Sequence, residues 1–126
     1  MFSHIMLGTN DPARSKKFYD ATLGALGVEP GALTGDRVMY RTPTGGVLIL
    51  TKPINGEPAS AANGGTIGFT CATTEEADAW HAAGVASGGT ACEDPPGLRD
   101  NPGMKLYLAY LRDPDGNKLC ALKWMS

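Results

Sequence analysis

The chain mixes short runs in which apolar and polar residues alternate with two longer runs in which apolar residues recur every three or four positions. The first pattern predicts strands with one buried face and the second predicts helices lying on a sheet. Residues 2–8 read as a strand. In Asn10-Asp11-Pro12, Asp11 can cap a helix whose first position is Pro12. Tyr19, Leu23 and Leu26, with Phe18 beside them, give that helix an apolar stripe to about Leu26, and Gly27 stops it. Strands are then expected at 28–33, 38–42 and 47–52, parted by the turn sequences Thr34-Gly35-Asp36 and Pro43-Thr44-Gly45.

Residues 53–65 hold Pro53, Asn55-Gly56, Pro58 and Asn63-Gly64-Gly65, a composition suited to a crossing loop. The pattern then starts again. Residues 66–72 repeat the first strand, and Thr73 with Glu76 forms a capping box for a helix to about Ala86. Its inward stripe is Ala77, Trp80, His81, Gly84 and Val85. Strands are expected at 90–93, 105–112 and 118–124, the last two joined through Asp113-Pro114-Asp115-Gly116-Asn117. Residues 94–103, with three prolines and two glycines, read as a loop and a candidate lid.

The two halves align as copies of one βαβββ unit. A step of 62 residues carries His4 to Thr66, Phe18 to Trp80 and Gly27 to Gly89. A step of 71 carries Arg41-Thr42-Pro43-Thr44-Gly45 to Arg112-Asp113-Pro114-Asp115-Gly116, so nine extra residues sit in the second copy, mostly within 94–103. The expected organisation is one α+β domain over 1–126, with module one at 1–52, a linker at 53–65 and module two at 66–126. Duplicated units commonly share a core and build a site between them.

Composition narrows the function classes. The net charge is −2 with lysines and arginines scattered, which leaves no footprint for nucleic acid or an anionic membrane and keeps small molecules as partners. The start of the chain has no signal-like segment and no later run approaches a membrane span, so a cytoplasmic location is expected. Cys71, Cys92 and Cys120 are odd in number and lack zinc-knuckle spacing, which points to reduced thiols.

The tandem βαβββ pattern, His4 in the first strand, Phe18-Tyr19 with Leu23-Gly24, and Asp113-Pro114-Asp115-Gly116-Asn117-Lys118 before the last strand together resemble the vicinal oxygen chelate superfamily. That superfamily includes glyoxalase I, extradiol dioxygenases and the bleomycin- and fosfomycin-resistance proteins. The resemblance covers essentially the whole chain. It implies a curled, barrel-like mixed sheet with helices outside, ligands in the concave interior, and a homodimer.

It also implies four inward metal ligands, two per module. Carried onto this chain, these positions are His4, Ile49, Thr66 and Cys120, of which only His4 fits a divalent cation. Glu29, Glu57, Glu75, Glu76 and Glu93 lie at element ends, in loops or at a helix start, and no strand shift rescues them without turning the apolar set outward. No cofactor is expected, and a divalent metal would need a rebuilt site.

With His4 turned inward, alternation places Met6, Met39, Arg41, Ile49, Thr66, Tyr110, Arg112 and Cys120 on the same hollow. These nine residues are the candidate ligand contacts: apolar walls with a few donors, suited to a small, partly apolar molecule with an anionic or oxygen-rich end. Plainer readings stand beside each. His4 can be a hydrogen-bonded strand-start histidine, Arg41 and Arg112 can be solvated or paired to Asp113 or Asp115, Tyr110 can fill the barrel, and Cys120 can be a small buried apolar residue. His81 falls where Tyr19 sits in the other copy and reads as packing.

Three functions remain open: a small-molecule binder of the sequestering type, an enzyme, or a scaffold. Within the enzyme class, metal-independent acid–base chemistry stands beside a glyoxalase I-like lyase or dioxygenase with a rebuilt metal site.

Overall fold

The computed structural model describes residues 1–125. In chain order the elements are β1 (His4–Gly8), α1 (Pro12–Gly24), β2 (Ala32–Thr34), β3 (Arg37–Arg41), β4 (Val47–Thr51), β5 (Ile67–Thr70), α2 (Thr74–Ala86), β6 (Thr90–Ala91), β7 (Gly97–Asn101), β8 (Met104–Arg112) and β9 (Lys118–Trp124). Both helices start as the sequence predicts. The Asp11 carboxylate accepts from Arg14 N at 3.1 Å, and the Thr73 hydroxyl accepts from Glu76 N at 3.1 Å.

Each repeat forms its own open sheet, ordered β1-β4-β3-β2 in the first and β5-β9-β8-β6 in the second, with β7 also on β8. In both, the opening strand runs parallel to the closing one and the remaining pairs are antiparallel. Alternation sends Ile5, Leu7, Val38, Tyr40, Leu48 and Leu50 of the first sheet, and Ile67, Phe69, Ala109, Leu111, Leu119 and Ala121 of the second, into one cluster around Phe18, Tyr19 and Trp80. One core therefore serves both halves. The helices lie against each other within it, and Gly84 is what lets them approach: a Cβ there would stand 2.3 Å from Leu111 Cδ1 and 3.1 Å from Thr22 Cγ2.

The first-module helix ends at Gly24 rather than near Leu26, because the chain folds back through Gly27 at φ 85° with Val28 N bonded to Leu23 O at 3.0 Å. That fold-back consumes much of the expected strand 28–33, of which only Ala32 and Leu33 pair, within β2. Strand 90–93 likewise shortens to Thr90–Ala91. Val85, expected on the inward stripe, is half-exposed, whereas Ala77, Trp80 and Gly84 are buried.

The expected loop at 94–103 is the largest correction. Residues 97–101 form β7, which pairs along Met104–Leu108 through a hairpin at Pro102-Gly103, with Gly103 at φ 76°. The proline and glycine content marks the turn, while β8, four residues longer than β3, supplies the partner.

The Asp113-to-Asn117 turn joins the repeats. Asp113 accepts from Tyr19 Oη at 2.6 Å and from Asn117 Nδ2 at 2.9 Å, and Asn117 Nδ2 also reaches Gly8 O at 3.2 Å. Asp115 accepts from Asn10 N at 2.9 Å, Arg14 Nη2 at 2.8 Å and Ser15 Oγ at 3.2 Å. Neither carboxylate takes the Arg112 guanidinium, which donates to Gly116 O at 2.8 Å. Burial together with the neighbouring Asp113 carboxylate drives the Tyr19 phenol well above its ordinary pKa.

Candidate functional site

The faces turned away from the shared core carry the predicted contacts. On the first sheet, Met6, Ile49 and Met39 form one cross-strand row and His4, Val47 and Arg41 the next. On the second, Gly68, Cys120 and Tyr110 form the corresponding row, with Lys118 and Arg112 beside it. The repeat is therefore preserved at the level of register: Met6, Ile49 and Met39 match Gly68, Cys120 and Tyr110. The parity argument places these side chains correctly on their strands, but Thr66 falls one residue before β5 and is exposed.

The two faces do not close over one interior. Each belongs to a separate open sheet whose other side packs into the common core, so one chain does not bring His4, Met6, Met39, Arg41 and Ile49 together with Tyr110, Arg112 and Cys120. The sequence leaves open whether the modules close on each other or on a second chain; within this chain they present two outward faces, because helix-to-helix packing joins the modules back to back.

The first face is grooved. A depression of about 390 Å³ is lined by Met6, Arg37, Thr51 and Ile54 among others, and one of about 260 Å³ by Glu29, Pro30, Ala32, Met39 and Arg41. Met6 is 42% exposed, whereas Ile49 between the two methionines is buried. His4 is exposed, its Nδ1 2.8 Å from Ser3 Oγ.

The second face is chemically denser. Leu106, Leu108 and Cys120 are buried in a small apolar cluster with Tyr110 and Leu122 against them. Over this floor the Lys118 ammonium stands 5.2 Å from the Tyr110 ring centroid and forms an ion pair with Glu93. Burial, then the neighbouring Cys120, raises the Tyr110 pKa, and burial raises that of the Cys120 thiol. The Glu93 carboxylate raises that of Lys118. Near neutral pH these three groups are therefore a phenol, a thiol and an ammonium: donors, with Glu93 the acceptor among them.

Strand parity in the sequence puts Lys118 on the same face as Tyr110 and Cys120, as the register has it, but Lys118 is not among the nine candidate contacts. Sequence reasoning set Glu93 aside as lying at a strand end, and nothing in its sequence context signals that a bulge carries it onto Lys118. His81 stays a packing residue: it is half-buried on α2, and burial lowers its pKa.

A divalent cation of the kind the family uses does not fit this donor set. Its four positions hold an exposed imidazole, an aliphatic side chain, a hydroxyl outside the strand and a thiol kept protonated by burial. Among the described residues no three His, Cys, Asp or Glu side chains converge. Nor is any helix among them long and apolar enough to cross a membrane.

The fold recurs among solved structures. A glyoxalase/bleomycin resistance protein from Albidiferax ferrireducens T118 is 59% identical, with 98% of each chain covered and a TM-score of 0.94. A glyoxalase-related enzyme from Fulvimarina pelagi shares the fold at 20% identity, with 98% of this chain and 87% of that one covered and a TM-score of 0.74. A lactoylglutathione lyase from Agrobacterium tumefaciens does so at 22% identity, with 98% and 92% covered and a TM-score of 0.68. No curated protein matches the chain significantly. The family model for the Glyoxalase/Bleomycin resistance protein/Dioxygenase superfamily matches residues 1–121, and with the tandem βαβββ sheets it establishes that the chain belongs to that superfamily.

Proposed function

We propose that the protein is a small-molecule binder of this superfamily that works without a divalent metal. The observation carrying this reading is the content of the outward faces: Ile49, Thr66 and Cys120 stand at three ligand positions, and the rows around them mix apolar walls with donors. Such a surface suits a partly apolar ligand with an oxygen-rich end.

Binding is completed in a homodimer. Each face is half of a hollow, and a second copy lays module one of one chain against module two of the other. The exposed Met6, Met104 and Trp124 on these faces favour such a closure. The working location is the cytoplasm, where all three cysteines stay reduced.

A thermal-shift screen of small acids and aromatics tests the reading. Ligands that raise the unfolding midpoint are expected to lose that effect in an Arg112→Ala, Tyr110→Ala variant. Hits that survive unchanged in the variant, or robust isomerisation of the glutathione–methylglyoxal hemithioacetal by the parent protein, overturn it.

A further inference from the structure

Between β6 and β7 the edge of the second sheet bulges. Ala91 pairs with Leu111 and Gly97 with Leu108, so residues 92–96 pass only Ala109 and Tyr110 of β8. Within this bulge Glu93 has φ 57°, a conformation that among the described residues is otherwise confined to glycines. The Arg99 guanidinium pins the bulge by donating to Gly97 O at 2.9 Å, Asp94 O at 3.1 Å and Pro95 O at 3.1 Å. The outcome is a carboxylate carried across β8 onto Lys118 of β9, above the Tyr110 ring. Backbone held in such a region by its surroundings clusters at ligand clamps and switch regions, which directs attention to what Glu93 meets.

We propose that this face is a recognition site for small aromatic or short apolar monocarboxylates, in which Lys118 anchors the carboxylate, Tyr110 and the Leu108–Cys120–Leu122 floor receive the apolar part, and Glu93 is an internal occupant that the ligand displaces. The inference rests on the small-molecule reading above and names its ligand class. The ion pair is reachable from solvent, its side chains being 24% and 46% exposed. Glu93 is the carboxylate held on this patch. Arg99 is spent on backbone carbonyls and Arg112 on Gly116 O, so Lys118 is the cation whose partner can be exchanged without breaking the bulge. A ligand carboxylate restores the charge balance, and the phenol offers it a second donor.

Isothermal titration of the full chain with benzoate, and with neutral benzamide as control, tests this. Glu93→Gln removes the internal competitor and is expected to tighten benzoate at least five-fold. Lys118→Met, with Lys118→Gln as a second variant should the first not fold, is expected to weaken it at least ten-fold. Benzamide affinity is expected to be equal in all the proteins. Unchanged or weaker benzoate binding in Glu93→Gln, or undiminished binding in the Lys118 variants, overturns the proposal. Absence of benzoate binding to every form does so as well, while neutral hits sensitive to Arg112 and Tyr110 would leave the broader reading standing.

Discussion

Tyr19, on the first repeat's helix, donates its hydroxyl at 2.6 Å to Asp113, in the turn that closes the second repeat, and both side chains are buried. The bond spans the two modules, and Asp113 takes further bonds from the N–H groups of Asp115 and Asn117, each at 2.9 Å. Tyr19→Phe should cost roughly 1–3 kcal/mol at pH 7, the penalty of leaving a buried acceptor short of a donor. Asp113→Ala should cost more, since it strands several donors at once. Urea unfolding of the two variants checks both the sign and the order.

The same tyrosine sets an alkaline limit. Tyr19 and Tyr40 both have pKa values raised above the usual 10.0, first by burial and then by Asp113 and Asp20 respectively. A raised pKa means the protonated form is favoured in the folded chain, so this stability is complete below about pH 10 and declines above it as only the unfolded chain releases the protons. The expected slope is about 1.4 kcal/mol per pH unit for each tyrosine. Denaturant midpoints measured from pH 8 upward should fall less steeply in Tyr19→Phe than in the parent.

Gly84→Ala should destabilise the chain although alanine is the better helix former. The added carbon meets Leu111 Cδ1 at 2.3 Å and Phe18 Cε1 at 3.3 Å, and overpacking of roughly 1–3 kcal/mol outweighs a propensity gain of up to about 1 kcal/mol. Gly24→Ala is the control: no atom lies within 4 Å of its new carbon, so it should be neutral or stabilising. Thermal unfolding of the pair separates close packing from helix propensity.

Metal analysis addresses the donor set. Purified protein is expected to carry well under one equivalent of zinc, nickel, manganese or iron, and EDTA is expected to leave its unfolding midpoint unchanged. A full equivalent that disappears in His4→Ala would contradict the reading of Ile49, Thr66 and Cys120 as non-ligating.

The repeat and its register were legible because strand parity is a local property. Once Met6, Ile49 and Met39 are recognised as alternating positions, their matching with Gly68, Cys120 and Tyr110 follows from the same count. The direction in which the two sheets face was not legible. It depends on helix-to-helix contact at Gly84 and on Gly89, where a Cβ would stand 2.5 Å from Phe18 Cε1, and a glycine in a helical stripe does not announce the neighbour it admits. The strand at 97–101 was hidden because its pairing comes from the extension of β8, while Pro95, Pro96 and Pro102 give the segment the composition of a loop. Glu93 was missed for a related reason: its reach to Lys118 depends on a bulge and a left-handed residue, neither of which has a periodic signature.

Asp115 has a mechanical consequence. Held by a backbone amide, a guanidinium and a hydroxyl at the corner between β1 and α1, it ties the closing turn of the second repeat to the start of the first helix. Removing its carboxylate would strand those three donors together and slacken the junction between the repeats.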